Sequence, residues 1–237
     1  MTTPLTRIAR TALLIALLPL APGCASEPLI VDRIIAAHGF DRFDQVRAIA
    51  FTFNVERGDS RTARAWHWNT HTDEVTATVT DEQGEKQVTT FMRGDTSVPH
   101  DAHFVNDSFW LLLPLHLKWA GRDVTITDHG LKARQRPGTR MNDAGQTIDA
   151  GIDLERHVTV AYASSGGGYT PGDRYELYLD MNDRIVRWDF HRGGATEPTL
   201  TTTWTDYQRF GPLLLSLERR GAGDFRLFFT DVEVTMP

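Results

Sequence analysis

Residues 101–117 read DAHFVNDSFWLLLPLHL. Placed on a helix, Phe104, Ser108, Leu111 and Leu115 fall in one row and Val105, Phe109 and Leu112 in a second, with Trp110 and Leu113 near a third direction. Leu111, Leu112 and Leu113 make the C-terminal end apolar nearly all round, and such a helix has to be covered by other structure. Pro114 is expected to end or kink it, because proline has no N–H to donate and its ring crowds the preceding turn.

The sequence on both sides of this helix reads as strands. Ala48 to Val55 (AIAFTFNV) puts Ile49, Phe51, Phe53 and Val55 on one face, with small or polar residues between them. Ala63 to Asn69 places Trp66 and Trp68 on one face. Glu74 to Thr80 and Lys86 to Phe91 continue the pattern across the turn signal Asp81-Glu82-Gln83-Gly84. Beyond residue 121 the strand-like stretches are Arg122 to Thr127, Arg156 to Ala163, Arg174 to Asp180, Arg184 to His191, Thr199 to Tyr207, Leu213 to Arg219 and Phe225 to Val234. Asn182-Asp183, Gly193-Gly194 and Gly221-Ala222-Gly223 are short links, which imply antiparallel neighbours. Leu29 to His38 reads as an amphipathic helix stopped by Gly39. Gly151 to Leu154 and Ser164 to Gly168 read as loops, and the glycine run lacks the Gly-Lys-Ser/Thr of a phosphate loop.

The expectation is a mainly β protein of about eleven antiparallel strands with one inserted apolar helix and one N-terminal helix. A sheet of that size curls, and the helix fills part of the concavity. What remains is either an aromatic-lined cavity or a fully packed core. If a cavity, its ligand-binding wall is Phe51, Phe53, Trp66 and Trp68 from the sheet and Phe104, Phe109, Trp110 and Leu113 from the helix.

The 237 residues are 41% hydrophobic and 24% charged, which excludes a disordered chain, a collagen and a multi-spanning membrane protein. A net charge of −6 spread along the chain argues against nucleic acid as a partner. Arg7 and Arg10 precede the apolar run Thr11 to Ala21 (TALLIALLPLA), and Ala21-Pro22-Gly23-Cys24 follows. The run is shorter than the roughly 20 residues that span a bilayer, so residues 1–23 read as a secretory signal. Cys24 is the only cysteine, which excludes an internal disulfide and a cysteine-based zinc site. The segment resembles a bacterial lipoprotein signal, which implies cleavage before Cys24 and lipidation there. By the same resemblance, Ala25 in place of Asp favours the outer membrane. The domain plan is therefore a signal at 1–23, an anchor and linker at 24–28, and one domain at 29–237.

Three stretches resemble the bacterial lipoprotein-carrier family, the Lol-type half-barrel shared by a periplasmic chaperone, its outer-membrane receptor and an uncharacterised subgroup of outer-membrane lipoproteins. They are AAHGFDRFDQVRAIAFTFNV, FVNDSFWLLLPLHL and YELYLDMNDRIVRWDF, and the resemblance spans roughly residues 29–235. It implies an incomplete antiparallel barrel with a helical lid over an apolar cavity that takes acyl chains or other lipids.

The reading that follows is a lipid-anchored periplasmic protein, not an enzyme, with an acyl chain or lipid as its partner and no cofactor. One rival is a metal-dependent enzyme. His100 and His103, with Asp101 between them, share a face at the start of the inserted helix, and Asp128-His129 or Asp189-x-His191 can add ligands. No His-Glu-x-x-His is present, so no metal is assigned. The other rival is a structural lipoprotein whose core is filled by its own side chains. Ser164-Ser165 has no Gly-x-Ser-x-Gly elbow, and Asp180 and Asp183 read as turn residues. Trp66 and Trp68 can also serve as a stacking platform for sugars or nucleotides.

Overall fold

The computed structural model describes residues 28–80, 84–119, 121–135, 140–141, 147–148, 151–164 and 171–237. The signal segment with Cys24, the turn residues 81–83 and most of the glycine run lie outside the described residues. Helix α1 (Ile30–Ala37) and a 3-10 turn (Phe40–Gln45) lead into β1 (Ala48–Arg57), β2 (Ser60–Asn69), β3 (Glu74–Thr80) and β4 (Lys86–Met92). The inserted helix α2 (Pro99–Trp119) follows. After it come β5 (Val124–Gln135), the short β6 (Arg140–Met141) and β7 (Thr147–Ile148), β8 (Ile152–Tyr162), β9 (Arg174–Leu179) and β10 (Ile185–His191). The chain ends with β11 (Leu200–Thr203), β12 (Thr205–Phe210), β13 (Leu213–Arg220) and β14 (Arg226–Thr235).

Two large antiparallel sheets result, one of seven strands in the order β12-β13-β14-β1-β2-β3-β4 and one of five in the order β11-β10-β9-β8-β5, and β6 pairs with β7 alone. The stretch read as one strand, Thr199 to Tyr207, is divided at Trp204 into β11 and β12, and so belongs to both sheets. Asp206, inside β12, has φ 53°. The sheets meet along this stretch. Their far edges, β4 and β5, do not pair among the described residues, and α2 connects them. This is the expected mainly β, unclosed barrel with an inserted helix.

Period-two alternation sets the inner faces. Ile49, Phe51 and Phe53 of β1 stand beside Trp68 and Trp66 of β2, and Val75 and Ala77 of β3 continue the layer. In β10, Ile185 and Trp188 both point inward although they are three apart. A register shift between Ile185 and Arg187 against β9 makes that possible. Residues 152–154, read as a loop, are instead the start of β8.

Pro114 does not end α2. The backbone kinks at Leu112 (φ −117°, ψ 27°) and the helix runs on to Trp119. Burial of Leu111, Leu113, Leu115 and Leu117 on both sides of the kink holds the two segments in place.

α1 is tied to the β9–β10 hairpin by Arg33, whose Nε and Nη2 donate to Asp183 at 3.0 and 2.7 Å. It ends at Gly39, where φ is +75° and a Cβ would lie 1.9 Å from the Pro212 carbonyl oxygen. Two constraints coincide there, a left-handed backbone and a backbone neighbour that cannot move aside. Gly58, at φ +54° with open space around it, carries only the first. Gly58→Ala is expected to cost about 1–2 kcal/mol. Gly39→Ala is expected to cost more, with a clearly lower urea midpoint than Gly58→Ala measured side by side.

Candidate functional site

α2 enters the interior with one charged residue at its centre. Asp107 is fully buried. Its carboxylate accepts Nε and Nη2 of Arg64 at 2.7 and 2.6 Å, and the indole N–H of Trp66 at 3.0 Å. Both partners come from β2, so the first half of α2 is fixed to the seven-stranded sheet. A bidentate pair with its remaining oxygen capacity filled is the arrangement that makes burial of such a charge tolerable.

The second half is held by another charge. Pro114 cannot donate to the carbonyl of Trp110 four residues back. Arg219 of β13 takes over that role, with Nη2 donating to Trp110 O at 2.7 Å. Its Nη1 faces Ser216 O, Ser216 Oγ and Glu218 O at 3.1, 2.6 and 3.0 Å, and the guanidinium carbon sits 3.5 Å from the Trp204 ring centre. Arg219 is fully buried, and no carboxylate pairs with it among the described residues. Burial pulls its pKa down to about 9.

Around this cation lie donors without partners. Arg219 Nε, the indole nitrogens of Trp188 and Trp204, and the Thr202 hydroxyl are buried and make no hydrogen bond. They belong together. Thr202 pairs with Trp188 across β10 and β11, the Trp188 and Trp204 rings are 5.4 Å apart, and Trp204 lies against Arg219. Trp110 closes the group, 4.5 Å from Trp188. The result is an electropositive, donor-rich spot in an aromatic interior, suited to an anionic or strongly accepting group.

The expected ligand wall is divided. Phe51, Phe53, Trp66, Trp68 and Phe104 pack together against the seven-stranded sheet, with Phe104 5.5 Å from Trp66 and 5.9 Å from Trp68. Leu113 is buried with the five-stranded sheet, where Phe109 also packs, 5.1 Å from Tyr175. Trp110 touches both groups. The eight residues therefore sit on two sides of α2 rather than around one space.

The rival centres fare differently. His100 and His103 come within 6.1 Å ring to ring, but no third His, Cys or carboxylate joins them among the described residues. Ser108 Oγ lies 3.4 Å from His116 Nε2, yet it also reaches its own helix at Val105 O, 3.2 Å away, so the pair is not arranged as a nucleophile and its base.

Asp107, Trp188, Thr202, Trp204 and Arg219 were not among the expected site residues. One signal was available for Arg219. It shares the parity of Leu213, Leu215 and Leu217 in LLLSLERR, which places a charge on an inward face.

No family model matches the chain, and no curated protein matches it. Among solved structures it is similar to a DUF1329 family protein from Desulfovibrio piger, at 7% identity and a TM-score of 0.45, covering 86% of this chain and 91% of that one. It is also similar to the Mycobacterium tuberculosis lipoprotein LppX, at 12% identity and a TM-score of 0.32, covering 90% and 99%. Among the described residues no helix is long and apolar enough to cross a membrane.

Two histidines, His38 buried and His116 half-buried, make the site region acid-sensitive. His38 donates from Nδ1 to Ile34 O at 2.8 Å, and its Nε2 meets the Tyr207 hydroxyl at 3.2 Å. Burial lowers its pKa to about 4. Burial, and then the charge of Arg93, lowers that of His116 to about 4 as well. Unfolded histidine titrates near 6.5. Between those values the unfolded chain holds more protons, so stability is complete above about pH 6.5 and falls as pH drops toward 4. For His38 the loss is on the order of 3 kcal/mol. Urea midpoints measured from pH 7 to pH 4.5 are expected to fall, and His116→Phe, placed among the rings of Phe109 and Trp119, is expected to flatten the fall.

Proposed function

We propose that this protein binds a single-chain amphiphile of the fatty-acid type, with its acidic head at Arg219 and its acyl chain among the aromatic residues beside α2. One observation carries the reading, the guanidinium without a counter-charge, its unpartnered Nε, and the three unpartnered groups of Trp188, Trp204 and Thr202 beside it. A core completed by its own side chains leaves each of those groups unsatisfied at roughly 1–3 kcal/mol apiece, and leaves a buried cation without a counter-charge. A carboxylate answers both needs. Removing the attached chain from water supplies the rest, at about 25 cal/mol per Å². No step of this is catalytic.

The test is a comparison of head groups. The protein is expected to bind a long-chain fatty acid roughly ten- to a hundred-fold more tightly than its methyl ester, the range of a hydrogen bond to a charged group. Arg219→Met is expected to bring the acid down to the level of the ester. Equal affinity for acid and ester in the wild type would remove the head-group assignment. No uptake of either would leave the filled-core reading in its place.

The same reading takes residues 29–237 as one half-barrel domain behind a signal at 1–23 and a short linker, held at the periplasmic face of the outer membrane through lipid on Cys24. Cys24→Ser is expected to move the exported protein from the membrane to the soluble fraction. A variant that is exported and still membrane-bound would show that the anchor lies elsewhere.

A further inference from the structure

The outer face of the five-stranded sheet gathers three potential metal ligands from three adjacent strands. His129 lies on β5, His157 on β8 and Glu176 on β9. In sequence they are far apart and follow no metal-binding spacing. Thr159 stands opposite both Thr127 and Glu176, and His157 opposite Tyr178, so His157 and Glu176 are diagonal neighbours on one face. His129 belongs to that face by alternation, two residues beyond Thr127, which stands opposite Thr159, and the β5–β8 register shifts only past it, where Gly130 has φ +74°.

One ligand atom from each of the three lies within 4.8 Å of the others. His157 Nε2 is 2.8 Å from Glu176 Oε2, and the two imidazoles stack with centres 4.5 Å apart. The Thr159 hydroxyl sits between them, donating to Glu176 Oε2 at 2.6 Å and meeting His129 Nε2 at 2.7 Å. The surroundings fix the ligands. Tyr178 lies flat on His157, 5.1 Å away at 7°, and Arg187 covers Tyr178 at 3.4 Å. Arg174 stands 3.1 Å from the second oxygen of Glu176, which leaves Oε2 facing the histidines.

We propose that His129, His157 and Glu176 form a binding site for a borderline divalent transition-metal ion of the zinc type. Two imidazoles and one carboxylate are a ligand set suited to that ion, and a fourth position open to solvent completes a tetrahedron. Zinc requires ligand bonds of about 2.0–2.2 Å, and side-chain rotation brings the three atoms to that radius, His129 being exposed and free to adjust. Arg174 and Arg187 orient the ligands from outside, and their charge weakens the site rather than abolishing it. The site is on the opposite face of the sheet from Trp188 and Leu177, so it is independent of the interior ligand reading.

The experiment is a calorimetric titration of the purified chain with Zn²⁺ in a non-coordinating buffer, repeated with Co²⁺ and followed by its visible d–d absorption. One ion per chain is expected, with a tetrahedral Co²⁺ band. His129→Asn, His157→Gln and Glu176→Gln are each expected to weaken binding by about tenfold or more. His100→Asn with His103→Asn is the control and is expected to leave binding unchanged. If His157→Gln fails to fold, the exposed His129→Asn carries the test. Absence of binding in the wild type up to millimolar Zn²⁺ would overturn the proposal. Binding that survives His129→Asn and Glu176→Gln, or is lost in the His100/His103 control, would overturn it too.

Discussion

The guanidinium of Arg219 is the point at which three parts of the chain depend on one another. It closes the carbonyl that Pro114 leaves open in α2, it accepts the face of Trp204 where one strand passes between sheets, and it binds the backbone of its own strand at Ser216 and Glu218. Only arginine can do this. Its planar fork reaches acceptors in several directions while its face stays free to stack, and it stays charged at a depth where a lysine would neutralise. The kink in α2, the division of β11 from β12 and the uncompensated charge are thus one arrangement seen from three sides.

Burying that charge is costly, and the four acceptors around it are carbonyls and a hydroxyl, not a carboxylate. The contrast with Asp107 is instructive. At Asp107 the chain supplies its own counter-ion, Arg64, and fills the remaining capacity with Trp66. Within one turn, at Trp110, the same helix meets a cation for which no partner of opposite sign is supplied among the described residues. The chain neutralises interior charge at Asp107 with Arg64 and at Glu155 with Arg134 and Arg187, and the proposed head-group site rests on the contrast with Arg219, to which no carboxylate is supplied among the described residues.

Much of the architecture could be read from alternation. AIAFTFNV, the tryptophan pair and the short links give strand identity and antiparallel order, which follow from period two and link length, while the open barrel comes from the resemblance to the lipoprotein-carrier family. What alternation cannot show is where it slips. Ile185 and Trp188 share an inward face only because of a register shift, and which strands bring His129, His157 and Glu176 side by side depends on the pairing of β5, β8 and β9. Such shifts depend on the partner strand, which is distant in sequence. The kink at Leu112 was foreseen as a consequence of Pro114, but the helix persists because apolar burial on either side outweighs the missing hydrogen bond. The site was less legible than the fold. Aromatic residues were correctly placed inside, yet spacing along α2 does not reveal which sheet each row will face, so one wall became two. Arg219 was within reach, since its parity with three leucines was visible.

The way α2 is held also bears on how an interior ligand can enter. Toward the seven-stranded sheet its contacts are directional: Asp107 to Arg64 and Trp66, and Arg219 to Trp110. Toward the five-stranded sheet the described contacts are apolar and aromatic, Phe109 on Tyr175, Trp110 on Trp188 and Leu113 within the cluster. Directional bonds fix a geometry and are lost on small displacements, whereas apolar surfaces keep most of their stabilisation if another apolar surface takes their place. An acyl chain is such a surface. On the proposed reading it takes the place of α2 against the five-stranded sheet while the bonds of Asp107 to Arg64 and Trp66 and of Arg219 to Trp110 stay in place, along a path toward Trp188 and Thr202.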